Sequence, residues 1–109
     1  MNFKKIQSIV YEEYKKNDYL KMWGDAQKVL KFFENGPEIV DVAEVGLISE
    51  EVGEAEREIR KGRNPKYELA DIIIRTLNFA SRKGIDVEQA ILEKHEKNMK
   101  REKRHGRKV

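Results

Sequence analysis

The sequence predicts an all-α protein, a bundle of four to five helices whose four-helix core is completed by oligomerisation. Three observations carry that expectation. Apolar residues recur at helical spacing and no stretch alternates with the period of a strand. The segments are separated by stop-and-start signals of helices: Asn35-Gly36-Pro37, Gly62-Arg63-Asn64-Pro65 and Gly84-Ile85-Asp86. Hydrophobic and charged residues each make up 39% of the chain, the balance expected of helices with one buried and one solvated face. At 109 residues the chain is a single domain, 1–109. So short a chain buries a limited core, so shared helices in a homodimer or homotetramer are expected.

The first helix is expected over Asn2 to Lys16, with Phe3, Ile6, Ile9 or Val10, and Tyr14 at packing positions. Asn17-Asp18 can interrupt it. Asp25 is a candidate cap for a second helix from Ala26 to Glu34, with Val29, Leu30 and Phe33 inward. Pro37, tolerated in a first turn, opens the third helix, expected from about Glu38 to Lys61 and stopped by Gly62. Its small residues Ala43, Gly46 and Gly53 would let another helix approach closely. Asn64-Pro65 starts the fourth helix, which ends near Lys83 with Gly84 beyond. Asp86 caps a fifth, with Gln89 at the capping-box position.

Composition excludes several classes. The absence of cysteine rules out a disulfide framework and a thiolate metal site. No apolar run approaches the roughly 18 residues of a membrane span, and the opening Met1-Asn2-Phe3-Lys4-Lys5 lacks a signal-peptide apolar region. A cytoplasmic protein with no membrane partner is expected. The net charge of +3 is unevenly spread: from Lys94 onward eight Lys/Arg face two Glu, a local +6 that leaves −3 for the rest. A basic tail, about 100–109, can meet phosphates or lie solvated.

The chemistry concentrates between Glu50 and Asp71. Glu50-Glu51-Val52-Gly53-Glu54 and Glu68-Leu69-Ala70-Asp71 each place two acids three residues apart, on one face of a helix. Both lie in the most apolar part of the chain, between Ile39–Ile48 and Ile72–Ala80. A carboxylate turned toward an apolar interior is costly without a cationic partner. Neither Glu50 nor Glu51 has a basic residue within one helical turn, and Glu68 sees only Asn64, Pro65, Asp71 and Ile72. A similar pair, Glu93 and Glu96, stands beside Lys94 and Lys97 and reads as surface. The short connection at Gly62 should fold the third and fourth helices into antiparallel neighbours and bring the four acids together. A hard divalent ion suits such a set, magnesium first and manganese as the alternative.

Other residues fit a polyphosphate beside that ion. Lys94, Asn98 and Arg101 share one face of the fifth helix at i, i+4, i+7. Arg75 can contact phosphate or pair with Asp71. Asn78, two turns beyond Asp71, is a candidate for sugar or base. Trp23, Phe32, Phe33 and Phe79 are candidates to stack on a base, although aromatics at helical spacing more often belong to a core.

As an ordered set, Glu51-Val52-Gly53-Glu54, Glu68-Leu69-Ala70-Asp71-Ile72-Ile73-Ile74-Arg75, Gly84-Ile85-Asp86, Lys94-x-x-x-Asn98 and Arg104-His105-Gly106 resemble the MazG-like nucleotide pyrophosphohydrolases of the all-α NTP pyrophosphatase superfamily. The likeness covers about 38–106. It departs at His95, where a Met often follows the lysine, and at Glu102-Lys103, where such tails often carry Pro and an aromatic. The resemblance implies a magnesium-dependent hydrolase that cleaves a nucleoside triphosphate to monophosphate and pyrophosphate. Metal ligands then map onto Glu51, Glu54, Glu68 and Asp71, and phosphate contacts onto Lys94 and Asn98. Water would attack phosphorus, with Glu50 or one of the ligands, Glu51 or Glu54 among them, accepting its proton. Two rivals stand beside this reading: phosphoribosyl-ATP pyrophosphohydrolase, and a non-enzymatic helical module that binds nucleic acid or a partner through the basic end. The second leaves the acid pairs unexplained.

Overall fold

The computed structural model describes residues 2–101, and these form five helices: α1 Phe3–Lys16, α2 Tyr19–Leu30, α3 Gly36–Arg60, α4 Lys66–Arg82 and α5 Val87–Lys100. The described residues contain no strand, and no helix among them is long and apolar enough to cross a membrane. The expected segments Arg104-His105-Gly106 and Glu102-Lys103, with most of the basic tail, lie outside the described residues.

The helix ends follow their local chemistry. The Asn2 side chain caps α1 by accepting from the Lys5 N–H at 2.8 Å. Asp86 caps α5 in the same way, accepting from the Gln89 N–H at 3.1 Å. The capping box is only half made, because the Gln89 amide donates forward to Glu93 instead of back to the cap. Gly62 and Gly84, with φ of 74° and 71°, end α3 and α4. Each is followed by a paired closure: Arg63 N–H to Glu58 O with Gly62 N–H to Ile59 O, and Ile85 N–H to Ala80 O with Gly84 N–H to Ser81 O.

The second helix departs from expectation. It begins at Tyr19, because Asp18 in the left-handed region (φ 65°) turns the chain directly after α1. Asp25 caps nothing; it lies inside α2, paired with Lys21 at 2.7 Å. The helix stops at Leu30 because the chain must turn there. Asn35 adopts φ 60°, and a side chain at Gly36 would meet the Leu30 carbonyl oxygen at 2.0 Å. Val29 and Phe33, expected inward, are exposed.

Packing on α1 also differs by one residue from the simple apolar pattern. Ile6 and Ile9 are exposed, while Gln7 and Tyr14 are buried and Val10 is half-buried. The inward stripe is therefore Phe3, Gln7, Val10, Tyr14. Gln7 satisfies its amide by donating to Ser81 Oγ at 3.0 Å and the Ile85 carbonyl at 3.3 Å, which ties α1 to the end of α4.

α3 and α4 share the most extensive interface, with α1 against α4, α2 against α3 and α5 against α1. The inward stripe of α3 is Val40, Glu44, Leu47, Glu51, Ala55; on α4 Asn78 is buried, and Asp71, Arg75 and Arg82 share its helical spacing, with Asp71 and Arg75 exposed. Glu51 meets Arg75 and Glu44 meets Arg82, so residue numbers rise on one helix as they fall on the other and the pair is antiparallel. The buried apolar core is small: Tyr14, Val40, Ala55, Leu77 and Ala80. Ile39, Val42, Val45, Val52 and Ile59 remain exposed along α3. Among the described residues no other helix comes within 4 Å of a side chain placed at Gly46, so none of the described helices uses the close approach expected there.

Candidate active site

The seam between α3 and α4 is polar along its length, and its two ends are solved differently. At the inner end Arg82, 4% exposed, donates from Nε to Glu44 Oε1 at 2.7 Å and from Nη2 to Asp41 Oδ1 at 2.6 Å. Its Nη1 donates to Gln27 Oε1 at 2.7 Å. Lys83 adds a second cation on Asp41 Oδ2, and Tyr14 Oη donates to Glu44 Oε2 at 2.6 Å. Two acids thus meet two cations, and the buried carboxylate of Glu44 is bonded on both oxygens. Burial, reinforced by the Glu44 charge, holds the Tyr14 hydroxyl well above its ordinary pKa.

At the outer end the charges do not balance. Glu51, its side chain 13% exposed, has one ion pair, with Arg75 Nε at 3.7 Å. Burial, a hydrogen bond shared with Glu54 and the charges of Glu54 and Asp71 push the Glu51 carboxyl above its usual range, against the opposing pull of Arg75. Arg75 pairs with Glu51, not with Asp71 as the sequence allows. Glu51 lies within the field of both Glu54 and Asp71, which are exposed, whereas Glu68, half-buried at the start of α4, lies within the field of Arg63. Of the four acids expected to converge, Glu54 and Asp71 come within the electrostatic reach of Glu51. Among the described residues no three acidic or imidazole side chains stand ready as one ligand set. The donor chemistry, hard carboxylate oxygens in excess over cations, fits a magnesium or manganese ion.

Beside this end opens a cavity of about 370 Å³, within the range of small-molecule sites. Its apolar wall includes Val10, Met22, Trp23 and Leu47; its polar wall includes Glu44, Glu51, Asp71, Arg75 and Asn78. Asn78 is buried, and its Oδ1 has no hydrogen-bond partner. Trp23 and Asn78 are thus brought to the acids. The other expected residues are not. Glu50 is exposed on α3 and Glu54 lies outside the lining. Phe32 and Phe33 are exposed in the α2–α3 turn, and Phe79 lies under the Arg82 guanidinium at 5.5 Å. Lys94, Asn98 and Arg101 are exposed on or just past α5, which packs on α1, and none lines the cavity.

Asp41, Glu44 and Arg82 are not singled out by the sequence, and Tyr14 is only as a packing residue. The signal was present: Glu44 lies seven residues before Glu51, and Arg82 seven after Arg75, each on the stripe of its helix that carries the acids.

Comparison with the curated proteins and with the solved structures found no match. The family model of the MazG nucleotide pyrophosphohydrolase domain matches residues 44–105, more than half of the chain. That segment runs from Glu44 through both acid pairs to the basic end, while α1 and α2, which supply the apolar wall with Trp23, precede it. With five helices in the described residues and this match over more than half of its length, the chain belongs to the MazG nucleotide pyrophosphohydrolase family.

Proposed function

We propose that the chain is a magnesium-dependent pyrophosphohydrolase that cleaves a ribo- or deoxyribonucleoside triphosphate, with water, into the monophosphate and pyrophosphate. The observation that carries this reading is the unequal charge along one seam. The Glu44–Asp41 end is neutralised by Arg82 and Lys83, whereas at the other end Arg75 pairs with Glu51 alone and, among the described residues, Glu54 and Asp71 have no ion pair. Glu51, Glu54 and Asp71, with Glu68 one turn away, would hold the cation. When bound, it would neutralise phosphate oxygens and lower the pKa of water. Manganese can replace it.

The remaining roles fall to residues of the chain. Arg75, at the cavity wall, offers a guanidinium to a phosphate oxygen once Glu51 has another counterion. Glu50, Glu51 or Glu54 accepts the proton of the attacking water. Trp23 and the apolar wall would shield the reacting centre from bulk water. Lys94, Asn98 and Arg101 would hold phosphates if assembly brings an α5 to the seam.

A homodimer or homotetramer belongs to the same proposal. The apolar residues exposed along α3 recur at spacings of three and seven, Val42, Val45, Val52 and Ile59, as a helix-pairing seam does. So large an unpaired apolar face is unusual on a monomer.

The test is a panel of ribo- and deoxynucleoside triphosphates with and without magnesium, scoring monophosphate, pyrophosphate and orthophosphate separately. The reading expects monophosphate and pyrophosphate in equal amounts and only with the metal. Release of orthophosphate with diphosphate would contradict it.

A further inference from the structure

We infer that Arg57 and Lys61, cations of α3 that lie outward of the acids, hold the terminal phosphates of the nucleotide. This rests on the nucleotide reading above and adds a binding site to it. The cavity sets the direction. On α3 its wall reaches from Glu44 to Glu51, and on α4 from Asn78 to Asp71. Glu51 and Asp71 are therefore its outermost residues on the two helices, and the connection 61–65 lies beyond them. A nucleoside seated in the cavity sends its phosphates past the acids toward that connection.

The cations stand in that path. Leu47, Glu54 and Lys61 follow one another at seven-residue intervals, so Glu54 and Lys61 continue the line of α3 that begins in the cavity wall at Leu47. Lys61 caps the helix in register, its N–H bonded to the Arg57 carbonyl. Arg57 is one turn beyond Glu54, about 5 Å along the axis. A side chain placed at Gly53 would meet Arg57 Nη1 at 3.6 Å, so the guanidinium folds back along the helix to the residue before Glu54. Both cations are exposed, and among the described residues neither has an ion pair. Glu58, the acid one turn before Lys61, is taken by Arg63, which donates to both of its oxygens at 2.8 and 3.1 Å. From Arg57 to Arg63 four cations stand against that one acid. Cations at a helix C-terminus also complement the macrodipole, but that role does not call for a guanidinium turned back toward the acids. Phosphate oxygens leaving the acid end would meet it in charge-assisted hydrogen bonds.

The experiment compares the full chain with its Arg57→Gln/Lys61→Gln variant in magnesium buffer, with Trp23, the single tryptophan and a cavity residue, as reporter. The probes are the α,β-methylene analogues of ATP, CTP, GTP and UTP, which carry a triphosphate that water does not break at the first bridge, and the matching monophosphates. For the analogue that the wild-type chain binds tightest, the variant should bind about tenfold more weakly or worse, with monophosphate affinity kept within about twofold. Its affinity for Mn²⁺ without nucleotide should be kept or raised, because positive charge beside the acids is gone. Arg57→Lys/Lys61→Arg, which keeps both charges, should recover most of the triphosphate affinity. Unchanged triphosphate affinity in the Gln variant, an equal loss for mono- and triphosphate, or no analogue bound by the wild-type chain would overturn the inference. Hydrolysis is read separately. Cleavage to monophosphate and pyrophosphate with the same kcat/KM in the Gln variant would sink this inference and leave the activity standing. Triphosphate binding that depends on the two charges, without cleavage by the wild-type chain, would do the reverse.

Discussion

Replacing Arg82 with Met should cost more stability than any other single surface-to-core change in this chain, and the structure gives the magnitude. The guanidinium is 4% exposed and its three donor nitrogens meet Glu44, Asp41 and Gln27 at 2.6–2.7 Å. Methionine fills much of the volume but leaves Glu44, 7% exposed, with only the Tyr14 hydroxyl. Asp41 fares better because Lys83 remains at 2.6 Å. Breaking a buried ion pair by removing one partner costs about 3–5 kcal/mol, against a total of roughly 5–15 kcal/mol for a domain of this size. With a urea slope of about 1–3 kcal/mol/M, the midpoint should fall by at least about 1 M at an unchanged slope. Adding Glu44→Gln to Arg82→Met should restore part of the loss, since the orphaned charge is then gone. A midpoint within about 0.3 M of wild type for Arg82→Met would refute the view that this network closes the inner seam.

Glu54→Gln and Asp71→Asn should each lower kcat about a hundredfold or more with helical circular dichroism unchanged, and wild-type turnover in either would remove that residue from the site. Burial alone would raise the Asp41 carboxyl, but the hydrogen bonds from Lys83 and Arg82 outweigh it and hold the group below its ordinary range. Its contribution is therefore present above the unfolded carboxyl value, about 3.9, and lost as pH falls through the lower folded value. Acid unfolding should carry a component below about pH 4 that Asp41→Asn lacks; identical acid profiles would contradict the sign. Val52→Glu on the exposed face of α3 should shift the sedimentation coefficient to that of a monomer, and an unchanged value would place the assembly contact elsewhere.

The elements were legible where local chemistry decides them. Gly62 and Gly84 stop helices through backbone geometry that glycine adopts freely, and Asp86 and Pro37 start helices for equally local reasons. The acid pairs were legible because two carboxylates at i, i+3 among apolar residues are visible without a partner. What remained hidden depends on the fold. Nothing local says that Asp25 would be taken up by Lys21, or that Gln7 and not Ile6 would turn inward to reach Ser81 and Ile85. The Glu44–Arg82 pair spans 38 residues, and only the antiparallel register of α3 and α4 brings it together. Lys94 and Asn98 share a face of α5, but Arg101 lies past its end in extended backbone, and the cavity is lined by other helices.

The central claim is that Glu51, Glu54 and Asp71 share a divalent cation as their counterion. Titration of the protein with Mn²⁺, followed by the electron paramagnetic resonance signal of the free ion, measures it directly. Saturable binding that magnesium competes away, and that weakens about tenfold or more in both Glu51→Gln and Asp71→Asn, is the predicted result. Wild-type binding retained in both variants, or none in the unaltered chain, would contradict it.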